Sequence, residues 1–236
     1  MPFRCLMRAD QINAEIVRAL VAAGCRMVWM GAESGSQRIL DAMEKGVRVA
    51  RIREAARMLQ DGGIDVGLFL QFGYPGEEWD DVEATLQLVR DVSPHDIGVS
   101  VSYPLPGTKF YERVRAELGR KQNWFDSDDL AMMYRATYEP EFYRVLHHVV
   151  HREFRTHRIE HRMRSLRVQP STARLSDVRR VAAWVYNRAA LAAAQRDLRR
   201  LARRDRALPV PGRMLPVLTQ SAASVPSQQE EGCASL

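Results

Sequence analysis

The chain has 236 residues, of which 46% are hydrophobic and 27% are charged. This composition excludes an extensively disordered chain and allows one substantial core, or one domain with a helical appendage. No apolar run reaches the roughly 18 residues of a membrane span, and the first ten residues lack a signal-peptide pattern, so we expect a cytoplasmic protein.

The net charge and the cysteines indicate which partners and which covalent or metal sites the chain can have. The net charge is +6, and arginines crowd between Arg152 and Arg206, so an anionic partner would meet the C-terminal half. The three cysteines, Cys5, Cys25 and Cys233, form no CxxC pair, which argues against disulfides and against a zinc finger. Cys25 precedes an apolar run and is expected to be a buried, inert thiol.

The first half alternates strand and helix patterns. We predict strands over 3–7, 27–30, 66–72 and 97–103, and helices over 11–23, 49–60, 77–92 and 110–118, with a short helix ending at Met43. Asp10 is a candidate cap for the first of these helices, and Ser34 or Ser36 for the short one. The acid-rich start of the helix at Glu77 suits the positive end of its dipole.

Three strand ends carry glycine-marked turns, at 31–36, 73–77 and 104–108. The spacing of these turns along the sequence is typical of successive βα units in a parallel sheet or barrel. Ligands bind at the carboxyl ends of such strands, so the turns predict the functional face.

Long helical patterns follow, over 139–163 and 176–204, and the last residues, 208–236, have the composition of a disordered tail. The second helix has an apolar stripe that predicts packing on a neighbour: Val178, Val181, Val185, Leu191, Leu198 and Leu201. Five histidines lie on the first helix: His147, His148, His151, His157 and His161. Without an HExxH pattern they indicate a polar helix face rather than a metal site.

Several residues at the predicted functional face have two interpretations each. The Glu33 carboxylate could accept hydrogen bonds from ribose hydroxyls or an ammonium group, or it could be a structural acid in a turn. Lys45 is either a cation at the same rim or a solvated side chain. Tyr103 and Thr108 are equally consistent with substrate contact and with packing.

Taken in order, these motifs resemble the second half of a radical S-adenosylmethionine (SAM) domain, in particular the cobalamin-associated branch of anaerobic cyclases and methyltransferases. The resemblance covers about residues 1–165 and is carried by five segments: Arg8-Ala-Asp10, Ala23-Gly-Cys25, Gly31-Ala-Glu-Ser-Gly-Ser36 with Leu40, Met43, Lys45 and Gly46, Gln71-Phe-Gly-Tyr-Pro-Gly-Glu77, and Tyr103-Pro-Leu-Pro-Gly-Thr108.

The resemblance implies an α/β fold, a partial (β/α) barrel containing strands three to six, followed by a helical C-terminal region. It implies SAM and a [4Fe-4S] cluster as cofactors of the complete enzyme, and it leaves cobalamin open. By the same resemblance, SAM is bound by Glu33, Ser34, Ser36, Leu70, Phe72 and Gly73. The substrate side comprises Tyr103, Pro104 and Thr108. No catalytic residue and no metal ligand is assigned.

One part of the family pattern is missing. The CxxxCxxC loop that holds the cluster does not occur in this sequence, so we expect a fragment that is inactive alone, with the N-terminal half of the barrel as its missing partner. We divide the chain into a barrel part (1–120), an Arg-rich helical region (121–206) and a tail (207–236). The expected substrate is a small molecule. The alternatives are a non-catalytic binding or assembly module, and a helical protein that binds an anionic partner; nucleic acid is the less favoured partner.

Overall fold

The computed structural model describes residues 1–118, 132–172 and 174–207. The strands are β1 (Phe3–Met7), β2 (Cys25–Glu33), β3 (Asp65–Phe72) and β4 (Asp96–Val101). The helices are α1 (Ala14–Ala22), α2 (Gln37–Ala42), α3 (Val49–Asp61), α4 (Trp79–Val92), α5 (Lys109–Val114), α6 (Pro140–Val168) and α7 (Leu175–Ala207). Short 3₁₀ turns lie at Ala9–Gln11, Arg115–Glu117 and Pro170–Thr172.

The four strands form one parallel sheet in the order β1-β2-β3-β4. Each strand is followed by at least one helix, and strands adjacent in sequence are adjacent in space, which is how a (β/α) barrel winds. The expected fold class is therefore confirmed: an α/β partial barrel with C-terminal helices. The division at residues 120 and 206 stays a prediction.

The helices cover one face of the sheet and form the core there. On this face β2 contributes Val28, Met30 and Ala32, all fully buried, and β3 contributes Val66 and Leu68. The side chains alternate between faces along each strand, so the intervening residues point to the other side. The core continues into α6 and α7, whose buried side chains include those of Phe142, Leu146 and Leu198.

The opposite face of the sheet carries an aromatic pair. The rings of Trp29 and Phe69 stack with their centroids 4.6 Å apart. Gly67 and Gly98 lie beneath them, because a Cβ on Gly67 would overlap the Trp29 ring and a Cβ on Gly98 would lie 2.8 Å from the Phe69 ring. The two glycines therefore make room for the rings on this face.

The start of α1 differs from the prediction. Asn13, not Asp10, is the cap residue, and its side chain accepts a hydrogen bond from the backbone N–H of Ile16 at 2.9 Å. Asp10 instead pairs with Arg8 at 2.9 Å inside the short 3₁₀ turn. The extended backbone at Ile12 separates that turn from the helix, which explains the shift.

The start of α4 also differs, since the helix begins at Trp79 rather than at Glu77. Glu78 is the cap, and it forms a reciprocal capping box with Asp81, whose carboxylate accepts from the Glu78 N–H at 2.8 Å. Asp80 and Asp81 supply the expected negative charge in the first turn. Glu77 is left outside the helix and is completely buried.

The apolar stripe of α7 packs only in its second half. Leu191, Leu198 and Leu201 are buried, as predicted, whereas Val178 and Val185 are exposed by 69% and 58%. The prediction of packing through these valines was therefore wrong. The first half of α7 contacts α6 through polar side chains instead, since Asp177 pairs with Arg162 and Trp184 donates to Glu160.

No helix in the described ranges is long and apolar enough to cross a membrane. The predicted tail at 208–236 lies outside the described residues, and so does Cys233.

Candidate functional site

A bulge at the end of β2 turns Glu33 out of the strand. The pairing with β3 shifts register between Gly31 and Glu33, and Glu33 adopts the left-handed region with φ of 58°. A non-glycine residue rarely adopts this conformation, which costs on the order of 1 kcal/mol and marks local strain. The bulge gives the Glu33 side chain a direction that a regular strand would not.

Glu33 forms an ion pair with Lys45. The Lys45 Nζ donates to Glu33 Oε1 at 2.7 Å, and the two side chains are only 14% and 23% exposed for Glu33 and Lys45 respectively. Gly31 lies beneath the pair, since a Cβ there would be 2.5 Å from Glu33 Oε1. The pair therefore lies against the sheet, and Lys45 is a partly buried cation at this rim rather than a solvated side chain; a role for it in binding stays a prediction.

The ion pair lines a cavity of about 500 Å³ at the carboxyl ends of the strands. Of the predicted site residues, this cavity contains Glu33, Tyr103 and Thr108, and Gln71 lines it as well. The cavity therefore brings together the ends of β2 and β3 with the turn that follows β4. A volume of this size is within the range of small-molecule sites.

The turn after Glu33, residues 34–36, contacts α4, and we call it the serine turn. Ser34 is fully buried, and its hydroxyl lies 3.1 Å from that of Thr85. The Gly35 N–H donates to Thr85 Oγ1 at 2.9 Å, and a Cβ on Gly35 would overlap the backbone of α4. Gly35 is thus needed for this close approach.

Ser36 bonds to the same helix. Its hydroxyl donates to Asp81 Oδ1 at 2.6 Å, and Arg38 pairs with the other oxygen of Asp81. Ser36 precedes α2 but makes no side-chain cap. The proposed contacts of Ser34 and Ser36 with a cofactor stay predictions, and neither residue lines the cavity.

The end of β3 places Leu70, Phe72 and Gly73 behind the cavity. The side chains of Leu70 and Phe72 are 1% and 2% exposed and face the core. The Phe72 carbonyl accepts from the Ser102 N–H at 2.7 Å. Gly73, at φ of 84°, takes the left-handed conformation that glycine allows. Pro104, after β4, is buried and also lies outside the cavity lining.

The peptide groups of Gly73 are held on both sides. The Gly73 N–H donates to Glu77 Oε2 at 2.6 Å, and the Gly73 carbonyl accepts from the Tyr134 hydroxyl at 2.6 Å. The turn that follows β3 is therefore fixed by one carboxyl and one phenol.

Glu77 is a buried carboxyl, whereas the sequence pattern predicts it in the acid-rich first turn of a helix. Burial raises its pKa from 4.5 to about 8, against the opposing effect of the Gly73 N–H. Its Oε1 atom has no hydrogen-bond partner among the described residues. Glu77 is therefore mostly protonated and uncharged at neutral pH.

Residues 2–89 match the sequence profile of the radical SAM superfamily. Over this stretch, which is less than half of the chain, the protein is similar to the radical SAM superfamily. Members of this superfamily use SAM and a [4Fe-4S] cluster. The matched region includes β1 to β3, the Glu33 bulge, the turn at Gly73 and most of α4.

The chain is similar to curated methyltransferase-type proteins of two organisms. An uncharacterized methyltransferase of Pyrococcus horikoshii is 29% identical over 119 residues, which make up 50% of this chain and 26% of that protein. A putative methylthiotransferase of Methanocaldococcus jannaschii is 32% identical over 108 residues, or 46% of this chain and 24% of that protein. The chain thus spans about a quarter of the length of these relatives.

Among solved structures, the radical SAM methyltransferase TsrM of Kitasatospora setae, with cobalamin and a [4Fe-4S] cluster bound, aligns with a TM-score of 0.45. The aligned residues are 23% identical and cover 52% of this chain and 25% of TsrM.

The two cysteines of this matched segment do not fit a [4Fe-4S] cluster. Cys5 and Cys25 are free thiols whose sulfur atoms lie 3.9 Å apart. Cys25 is 5% exposed, as predicted, and burial raises the pKa of Cys5 to about 11, which disfavours the thiolate that binds iron. In the described ranges no three His, Cys, Asp or Glu side chains are grouped to bind a metal.

The histidines of α6 contact each other. His147 and His151 lie one helical turn apart in α6, and their Nε2 atoms are 3.1 Å from each other. Burial, with a smaller effect of His147, lowers the pKa of His151 and favours its neutral form. Neither histidine lines the cavity at Glu33.

The sequence does not predict the contacts that four residues make beside this site: Asp81, Thr85, Tyr134 and the buried Glu77. Thr85 and Asp81 lie on the side of α4 that faces the serine turn. A polar residue on the apolar face of an amphipathic helix is the sequence feature that could have predicted their contacts. Tyr134 gave no local signal, since its bond to Gly73 spans 61 residues of sequence.

Proposed function

We propose that this chain provides the SAM-binding and substrate-facing portion of a radical SAM enzyme. The observation that carries the proposal is the Glu33–Lys45 pair, held by a strained bulge at the carboxyl end of the sheet and lining a 500 Å³ cavity. Local strain of this kind tends to be retained where it positions a functional group.

In this proposal Glu33 accepts hydrogen bonds from the ribose hydroxyls or the ammonium group of SAM. Gln71 and Lys45 lie beside it in the cavity wall. SAM would supply either a 5′-deoxyadenosyl radical or, together with cobalamin, a methyl group. The names of the curated relatives favour the transfer of a methyl or methylthio group.

The remaining predicted residues have supporting roles in the proposal. Ser34 and Ser36 anchor the turn after Glu33 to α4 and approach the ribose and methionyl parts of SAM. The backbone from Leu70 to Gly73 borders the adenine. Gly73 is kept in place by Glu77 and Tyr134.

The substrate side in this proposal follows β4. Tyr103, which is 37% exposed, and Thr108 line the same cavity as Glu33. Pro104 is buried and shapes the turn between them. The substrate is a small molecule, and the protein acts in the cytoplasm.

The cluster ligands belong, in this proposal, to polypeptide outside this sequence. β1 and β4 are the edges of the described sheet, and each presents unpaired backbone groups on one side. The missing N-terminal half of the barrel would pair with such an edge. This chain alone is then inactive.

The proposal is tested by titrating SAM into the purified chain in a calorimeter. We expect binding that Glu33→Gln weakens by about tenfold or more, since a carboxylate hydrogen bond is worth about 1.5–3 kcal/mol. Glu112→Gln is the matched control, because Glu112 is exposed on α5 and lies outside the cavity lining. Equal affinity of wild type and Glu33→Gln would contradict the assignment. Saturable binding that Glu33→Gln weakens, without catalysis after the missing half is supplied, would favour the non-catalytic binding module.

A further inference from the structure

A second and larger cleft lies at the opposite end of the sheet from the Glu33 cavity. Its volume is about 750 Å³, and it is bordered by the starts of β3 and β4, the end of α4, and the helices α6 and α7. The starts of the two strands contribute Asp65 and His95, whereas Gln71 and Tyr103 mark their other ends. The cleft therefore shares no wall with the proposed SAM site.

The walls of the cleft carry more cations than anions. Five arginines and two carboxylates line it, and both carboxylates are already paired: Glu153 with Arg90 at 2.5 Å, and Asp65 with His95 at 3.2 Å. Arg162 and Arg180 share Asp177.

Two arginines of α6, Arg155 and Arg158, complete the set. Neither has a carboxylate partner among the described residues, and both are exposed. Arg158 lies over the Phe154 ring with its guanidinium carbon 5.7 Å from the ring centroid. The α6 side of the cleft therefore presents two guanidinium groups that no carboxylate in the described ranges compensates.

The floor of the cleft is apolar. Val66, Leu86 and Val150 line it, and all three are at most 5% exposed. Ser93 and His157, which bond to each other at 2.8 Å, add a polar edge near the end of α4. An apolar floor with a few convergent polar groups is typical of a small-molecule site.

We propose that this cleft binds a small organic anion, with an oxyanion headgroup on an apolar body. The headgroup pairs with Arg155 and Arg158, whose planar guanidinium groups match phosphate and carboxylate oxygens. The apolar body lies over the floor of Val66, Leu86 and Val150. The proposal does not depend on the function assigned to the Glu33 cavity.

The test uses the full chain and calorimetric titration with four probes. 1-Naphthyl phosphate and 1-naphthoate carry the two headgroups on one apolar body, 1-naphthol has the body without the charge, and inorganic phosphate has the charge alone. We expect saturable binding of one of the two anions, and the stronger of them identifies the headgroup. Naphthol and inorganic phosphate should bind at least about tenfold more weakly, since each lacks one set of contacts.

The matched variants are Arg155→Gln with Arg158→Gln, and Arg196→Gln with Arg199→Gln. The second pair removes the same charge from an exposed part of α7 outside the cleft lining. We expect the first pair to weaken binding of the anion by about tenfold or more and the second to leave it unchanged. Equal losses in both double variants, equal binding of naphthol, or no binding of either anion would overturn the proposal. All the exchanged side chains are exposed, so circular dichroism should show both variants folded.

Discussion

At the scale of single residues, the site motifs combine structural and ligand-facing positions. Glu33 faces the cavity, whereas Ser36, three residues later, bonds to Asp81 in the neighbouring helix. A motif of six residues can therefore hold one group toward a ligand and use another to hold the turn itself.

Ser36→Ala tests which of these roles the serine has. We expect a loss of about 1–3 kcal/mol in the free energy of unfolding, because Asp81 is buried and would lose its bond from the hydroxyl. Urea denaturation of the chain without SAM measures this loss. An unchanged stability would show that the hydroxyl has no structural role. Ser165→Ala is a comparison, since the Ser165 hydroxyl only donates within its own helix, to the Arg162 carbonyl at 2.8 Å.

Glu77 predicts a specific dependence of stability on pH. Burial raises its pKa from 4.5 to about 8 in the folded chain, so the folded state retains a proton that the unfolded state releases. This group makes its full contribution to the free energy of unfolding below about pH 4.5. The contribution is lost as the pH rises to about 8, and the free energy of unfolding falls by up to about 1.4 kcal/mol per pH unit. Above that range the contribution is constant.

Glu77→Gln should remove this slope, since an amide remains uncharged and can still accept from the Gly73 N–H. The measurement is urea denaturation of both proteins between pH 5 and pH 9. Glu15→Gln, on the exposed first turn of α1, is the control and should keep the wild-type profile. A slope that persists in Glu77→Gln would show that another group is responsible.

At the scale of elements, the sheet depends on small residues beneath large ones. Gly67→Ala would drive a methyl group into the Trp29 ring, and we expect a destabilisation of about 1–3 kcal/mol. Thermal and urea denaturation measure it. The same substitution in a Trp29→Ala background should cost less, because the ring that obstructs the methyl is gone. Equal costs in the two backgrounds would rule out the steric explanation.

The helices show how well the apolar periodicity of the sequence predicts where a helix begins and ends. The predicted and observed bounds of α3 agree to one residue, because its apolar spacing and its closing glycines are local signals. The start of α1 lies three residues, and that of α4 two residues, beyond the predicted position. Asn13 and Glu78 are the cap residues, because Asp10 and Glu77 bond to other groups. Helix boundaries are therefore decided partly by contacts outside the helix.

At the scale of the whole molecule, the described chain lacks a place for the cluster. We expect anaerobic reconstitution with iron and sulfide to give no charge-transfer band, and incubation with SAM and dithionite to give no 5′-deoxyadenosine, because the sequence has no CxxxCxxC loop. Absorbance spectra and chromatography measure the two outcomes. A reconstituted cluster with SAM cleavage by this chain alone would contradict the proposed division of the active site.

Sequence patterns alone predict the order of strands and helices, the glycine-marked strand ends and the resemblance to the radical SAM superfamily, because these depend on residues within each segment and on the order of the segments. Three features needed the folded structure: the bond of Ser36 to Asp81, the pairing of Lys45 with Glu33 and the burial of Glu77. The register between parallel strands and the approach of α4 bring these groups together. No local pattern encodes such contacts, since each depends on how separate βα units pack.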